Sequence, residues 1–257
     1  MSAQPSSAET GMTLVEHLTE LRKRLVICVV AVGVGMIAGF LLYDAIIDVL
    51  IHPYQELVRA RPLSSATEGR LLTTDPLEAF GVRMKTSAYA GIAFAMPVIL
   101  WQVWRFVTPG LYPHEKRYAV PFVVSALLLF VLGAGLAYYT LPRALEFLVD
   151  IGGEEFVTAY QAGKYFQLIT YMMLAFGIGF EFPIVLVFLQ LAGVLDTDTL
   201  RRGRRFAIVG ICVLVAVITP SGDPISMLML SVPMVIFYEV SILIGSAIAK
   251  RRAAQAA

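Results

Sequence analysis

The chain has 257 residues, 58% of them hydrophobic, a mean hydropathy of +0.76 and a net charge of +1. Such an apolar composition excludes an ordinary soluble domain, and the near-neutral balance excludes a field that would gather nucleic acid. Two cysteines, Cys28 and Cys212, lie inside apolar runs and read as small buried residues, not as a disulfide framework.

A helical span needs about 20 mostly apolar residues to cross a hydrocarbon core of about 30 Å. Six runs qualify or nearly so, at 25–43, 86–104, 118–141, 165–195, 206–218 and 225–249. The expected fold is therefore an all-α membrane protein, residues 1–257 forming a single six-span domain. No cleavable signal is expected, because no small-residue cleavage site follows the first run. Before that run, Leu14, Leu18, Leu21 and Leu25 recur at helical spacing, and Thr13 with Glu16 reads as a capping box. This predicts a short amphipathic surface helix running into the first span, its polar face presenting Glu16, His17, Glu20 and Arg24.

Between the first two spans, 46–50 with Pro53 suggests a short helix and a bend. Asp75, Pro76 and Glu78 then predict an early start for the second helix, which would run to Phe106. An aromatic belt follows at Trp101, Trp104 and Phe106. The turn Pro109-Gly110 leads into a loop that sets Glu115 among Arg105, Lys116 and Arg117. The segment 142–164 reads as a short cap. The fifth run, 13 uncharged residues, is about 20 Å long as a helix and is too short for an unperturbed bilayer.

Cations set the orientation. Arg22, Lys23, Arg24, Arg105, Lys116, Arg117, Arg201, Arg202, Arg204, Arg205, Lys250, Arg251 and Arg252 fall on one side. Arg59, Arg61, Arg70, Arg143 and Lys164 fall on the other, and Arg83 and Lys85 stand at the outer start of the second span. Thirteen against five places both termini in the cytoplasm.

Two carboxylates sit inside spans. Glu181, between Gly179 and Pro183, is expected to face a polar cavity or to bond a neighbouring helix through Gln102 or Ser125, since charge at that depth rarely faces lipid. Glu239, nearer the cytoplasmic side, suits an anchor or a pair with a nearby cation. His17, His52 and His114 all fall in surface segments, and no phosphate loop or metal-ligand cluster is present. The chain reads as a non-enzyme without cofactor or metal.

Four motifs, spaced in order along the chain, carry a resemblance. His17-Leu18-Thr19-Glu20-Leu21-Arg22 resembles HLxELR. Gln102 to Arg117, through Trp104, Phe106 and Pro109-Gly110-Leu111-Tyr112, resembles QxWxFxxPGLYxxER. Phe176 to Pro183 resembles FxxGFExP, and Thr219-Pro220 with Asp223, Pro233 and Phe237-Tyr238-Glu239 resembles a closing TPxD…P…YE. Together they resemble the TatC family, the multi-span subunit of the twin-arginine protein translocase.

That resemblance implies a receptor in the cytoplasmic membrane for the twin-arginine signal peptides of folded export substrates. Glu20 and Glu115 would contact the arginine pair, with Arg22 and Phe106 in the same patch. Glu181 and Gln102 would form an intramembrane polar site. Thr219, Ser226, Met227 and Glu239 would lie where partners dock, and Pro53 and Asp223 on the outer face. The partners implied are single-span TatA and TatB-like subunits, further copies of the chain and membrane lipid, with transport driven by the proton-motive force. Two departures stand out: the turn Thr219-Pro220-Ser221-Gly222-Asp223 is one residue longer than the family's TPPD, and Met227 replaces a common glutamine. The alternative class is a secondary transporter for a small solute, with Glu181 as a proton or cation site. It predicts internal pseudo-symmetry, and no repeat is visible.

Overall fold

The structure, a computed structural model, describes residues 14–60, 70–107, 119–152, 160–191 and 193–256. Among them every regular element is helical, apart from one bridge pairing Leu72 with Gln161. The elements are α1 (Leu14–Leu41), α2 (Tyr43–Ala60), α3 (Glu78–Val107), α4 (Ala119–Gly152), α5 (Ala162–Gly179), α6 (Phe182–Leu191), α7 (Thr197–Ile218) and α8 (Pro224–Ala256). Five segments are long and apolar enough to cross a membrane: α1, α3, α4, α5 continued by α6, and α8. The sixth expected span, 206–218, is the apolar part of α7. The arginines before it, Arg201 to Arg205, are the first turns of that helix and not a loop, and α7 packs along α8.

The tightest packing joins α1 to α3. Antiparallel and closely apposed, they meet at Gly35, Gly39 and Gly91. A Cβ on Gly91 would fall 2.6 Å from the Met36 nitrogen, and one on Gly35 would fall 2.5 Å from the Gly91 carbonyl. Small residues allow this approach where lipid supplies no hydrophobic drive between helices. The predicted amphipathic segment is simply the start of α1, continuous with the span. Leu18, Leu21 and Leu25 are exposed there, and Thr13 lies outside the described residues.

Prolines shape three helices in different ways. The chain does not leave the helix at Pro53; α2 runs through it for 18 residues. Proline removes the donor that the carbonyl four residues earlier would use, here that of Val49. The Tyr138 hydroxyl donates to that carbonyl at 3.0 Å, from α4. Tyr165 on α5 donates to the adjacent Leu50 carbonyl at 2.7 Å. The segment expected as a cap from residue 142 is also helical, since α4 continues past Pro142 to Gly152.

Pro183, by contrast, ends a helix. The fourth expected span, 165–195, is not continuous but breaks at Phe180–Glu181, where the Glu181 nitrogen bonds back only three residues, to Ile178, at 3.0 Å.

The connections into α3 and α5 close on one carboxylate. Asp75 accepts from the Leu77 nitrogen at 2.8 Å and starts α3 as predicted. Glu78 does more than complete a box. It accepts from the Thr74 nitrogen at 2.9 Å and, across the molecule, from Gly163 at 2.6 Å at the start of α5. Tyr54, Tyr160 and Tyr165 stack beside this closure, and burial pushes the Tyr54 and Tyr160 phenols up. The Thr219–Asp223 turn absorbs its extra residue at Gly222, whose φ of 58° lies in the left-handed region that glycine enters freely. Asp223 thereby still reaches the Ser226 nitrogen, at 2.7 Å, and caps α8.

Gly91→Val forces the Met36 backbone away and should destabilise the detergent-solubilised protein by about 1–3 kcal/mol. Gly33→Ala, where a Cβ meets nothing within 4 Å, should leave the thermal unfolding midpoint within a degree or so of wild type. Tyr138→Phe should cost about 1 kcal/mol by stranding the Val49 carbonyl, and the cost should shrink in a Pro53→Ala background, where the helix supplies its own donor.

Candidate functional site

Helical spacing puts Glu16, Glu20 and Arg24 on one face of α1, with Ile27 a turn further on. The end of α3 faces them with Gln102 and Arg105. Together with Val15, Thr19 and Lys23 they line a cleft of about 550 Å³. The register follows from the glycine contact: Arg24 lies eleven residues before Gly35 on α1, and Gln102 eleven residues after Gly91 on the antiparallel α3.

Inside the cleft Arg24 bridges the two helices. Its Nε donates to Glu20 Oε1 at 3.1 Å, its Nη2 makes an ion pair with the same oxygen, and its Nη1 donates to Gln102 Oε1 at 3.3 Å. The other carboxylate oxygen, Glu20 Oε2, is buried and has no hydrogen-bond partner. One half of this carboxylate is thus satisfied within the molecule and the other half is not. An unsatisfied buried oxygen costs about 1–3 kcal/mol, more when charged. An incoming donor recovers that cost. Lys23 and Arg105 are exposed at the rim and bias the cleft against indiscriminate binding of cations.

The other expected site residues fall as follows. Gln102 does not belong with Glu181. Its carbonyl is engaged by Arg24 in the cleft, so the intramembrane pairing expected from the sequence is replaced by a cleft pairing. Arg22 is exposed and Phe106 half-buried, neither lining the cleft. Glu115 lies outside the described residues. Trp104 turns inward between Phe122 and Phe188, at centroid distances of 4.7 and 6.0 Å, and Trp101 stays exposed.

Glu181 sits at the α5–α6 break with its Oε1 buried and unpartnered. Glu239 pairs with Arg204 across α7 and α8 at 2.7 Å. Thr219 and Ser226 are buried with unpartnered hydroxyls, and Met227 packs against the main core. Pro53 is buried in α2. Sequence reasoning did not foresee Gln190, which is buried, donates to the Ser241 carbonyl at 3.1 Å and accepts from Thr197 at 3.2 Å. It lies where a Gly245 side chain would be. A glutamine among apolar residues before a glycine on a distant helix carries no local signature.

Asp223→Ala removes the α8 cap and should cost about 1–2 kcal/mol of stability. Glu239→Ala, in a pair about half exposed on each side, should cost less than about 1 kcal/mol. Thermal unfolding of the two variants side by side checks the order.

Comparison with known proteins places this arrangement. Residues 16–233 match the family described as Sec-independent protein translocase protein (TatC). A TatC from Frankia casuarinae is 39% identical across 92% of this chain, which spans 66% of that relative's length. A TatC from Aquifex aeolicus is 38% identical across 94% of this chain and 98% of its own. A crystal structure of the twin-arginine translocase receptor TatC is similar with a TM-score of 0.76 at 36% identity, covering 90% of this chain and 99% of that one.

Proposed function

The chain belongs to the TatC family, and from that premise we propose that it is the signal-peptide receptor and core subunit of a twin-arginine translocase that exports folded proteins. The observation that carries this reading is the half-satisfied Glu20 carboxylate in an open cleft between α1 and α3.

An arginine presents a rigid fork of donors that matches a carboxylate, whereas lysine is a point charge without the fork. Glu20 Oε2 takes one guanidinium of the pair. Glu115, in the sequence that follows α3, takes the other, with Arg22 and Phe106 close by. Charge-assisted hydrogen bonds contribute about 1.5–3 kcal/mol each, enough for reversible capture. Arg24 is the internal competitor for the same carboxylate and holds it when no peptide is bound.

The rest of the reading follows from the family and the charge pattern. The chain crosses the cytoplasmic membrane six times, α7 included, with both termini in the cytoplasm. It assembles with single-span TatA and TatB-like subunits and with copies of itself. The partners meet it at Thr219, Ser226, Met227 and Glu239, and the proton-motive force drives transport. Met227 offers such a helix an adaptable apolar contact. Glu181 serves a step after recognition.

Binding of a fluorescent twin-arginine peptide to the full chain in bilayers tests the assignment. Glu20→Ala and Glu115→Ala should each weaken it at least tenfold, and a twin-lysine peptide should bind wild type as poorly. Arg24→Gln should bind several-fold tighter than wild type, because the competitor is gone. Glu181→Ala should bind normally but fail in export. Unchanged affinity in the Glu20→Ala, Glu115→Ala double variant would overturn the reading.

A further inference from the structure

A second cleft, toward the opposite end of α3, plays no part in peptide capture. Three membrane-spanning helices wall it: α3 through Ala90 and Phe94, α4 through Phe130 and Ala134, and α5. Helix α2 covers it with Ile46 and Leu50. Its volume is about 200 Å³. Leu50 and Phe130 are buried on its floor, while Phe94, 48% exposed, marks an open side. The lining is almost wholly apolar, so water has few partners there. Left empty, the walls would forfeit their dispersion contacts. At this depth a flexible hydrocarbon chain is the available filler.

Arg83 supplies the second observation. It shares a face of α3 with Thr86 and Ala90, which line the cleft, at spacings of three and seven residues. Its guanidinium lies over two rings, 4.4 Å from the Phe40 centroid and 4.8 Å from that of Tyr43. Its Nη2 reaches the Phe40 carbonyl only at 3.5 Å, and its Nε has no partner. No carboxylate among the described residues pairs with it. A fixed, uncompensated guanidinium thus stands one turn beyond a hydrocarbon slot, at the level of a bilayer interface.

We propose that this is a site for one diacyl phospholipid, its phosphate on Arg83 and one acyl chain in the cleft. The lipid completes the joint between α2 and the α3–α5 bundle and belongs to the leaflet opposite the Glu20 cleft. The site stands independently of the peptide-binding reading.

The test reconstitutes the full chain in vesicles of phosphatidylcholine and phosphatidylglycerol, with a trace of phosphatidylglycerol carrying a photoactivatable acyl chain. Labelled residues are mapped by mass spectrometry. Label should concentrate on Ala90, Phe94 and Ala134. It should fall about tenfold in Arg83→Gln and in Ala134→Phe, which fills the slot, and stay unchanged in Lys85→Gln, an exposed cation two residues away. Even labelling around the lipid-facing surfaces of α3, α4 and α5 in the wild type would overturn the proposal without any variant. Equal labelling by a photoactivatable diacylglycerol, which has no phosphate, would overturn the role of Arg83. A photoactivatable twin-arginine peptide labelling Ala134 in place of the lipid would assign the cleft to peptide and overturn the site.

Discussion

The backbone contact between α1 and α3 governs what this molecule can bind. Gly35, Gly39 and Gly91 let two long helices run side by side with almost no side chain between them. That contact fixes their register, and register decides which polar groups meet three turns away. Arg24 reaches Gln102 because Gly35 meets Gly91. Arg24, held by Gln102, engages one oxygen of Glu20, and the other stays without a partner. A side chain at the glycines would shift the helices and change that pairing before it changed anything about charge. The pairing inside the cleft is therefore a consequence of packing.

The same economy recurs where helices are interrupted. Pro53 leaves α2 intact because Tyr138 supplies the missing donor from another helix, whereas Pro183 breaks its helix and leaves Glu181 at the gap. A proline inside a helix needs an outside donor for the carbonyl it frees, and a proline in the first turn does not. In a bilayer, where water cannot step in, that difference decides whether a span is continuous. The outer connections obey the same constraint. Glu78 gathers backbone donors from both, and so ties the start of α3 to the start of α5.

What could be read in advance follows from this distinction. Run length and polarity located the five segments long and apolar enough to cross a membrane, since crossing is a demand on composition. Asp75-Pro76 located the start of α3, because capping is local. The four motifs located the family. Neither the course of α2 through Pro53, which rests on a hydroxyl from another helix, nor the break before Pro183 was legible. The extension of α4 past Pro142 was missed because charge in a helix beyond the core looks like loop. Gln102 was assigned to Glu181 because both are polar groups in apolar surroundings. Only the α1–α3 register, invisible in either segment alone, sends it to Arg24.

The central claim is that the open oxygen of Glu20 receives an arginine from outside the molecule. Its most direct measurement is magnetic-resonance distance between an isotope-labelled Glu20 carboxylate and the labelled guanidinium nitrogens of a twin-arginine peptide, bound to the full chain in bilayers. A separation of about 4 Å or less between the carboxyl carbon and one guanidinium nitrogen is predicted. A saturated complex in which no guanidinium of the peptide comes that close, while Arg24 keeps its hold on Glu20, would contradict the account.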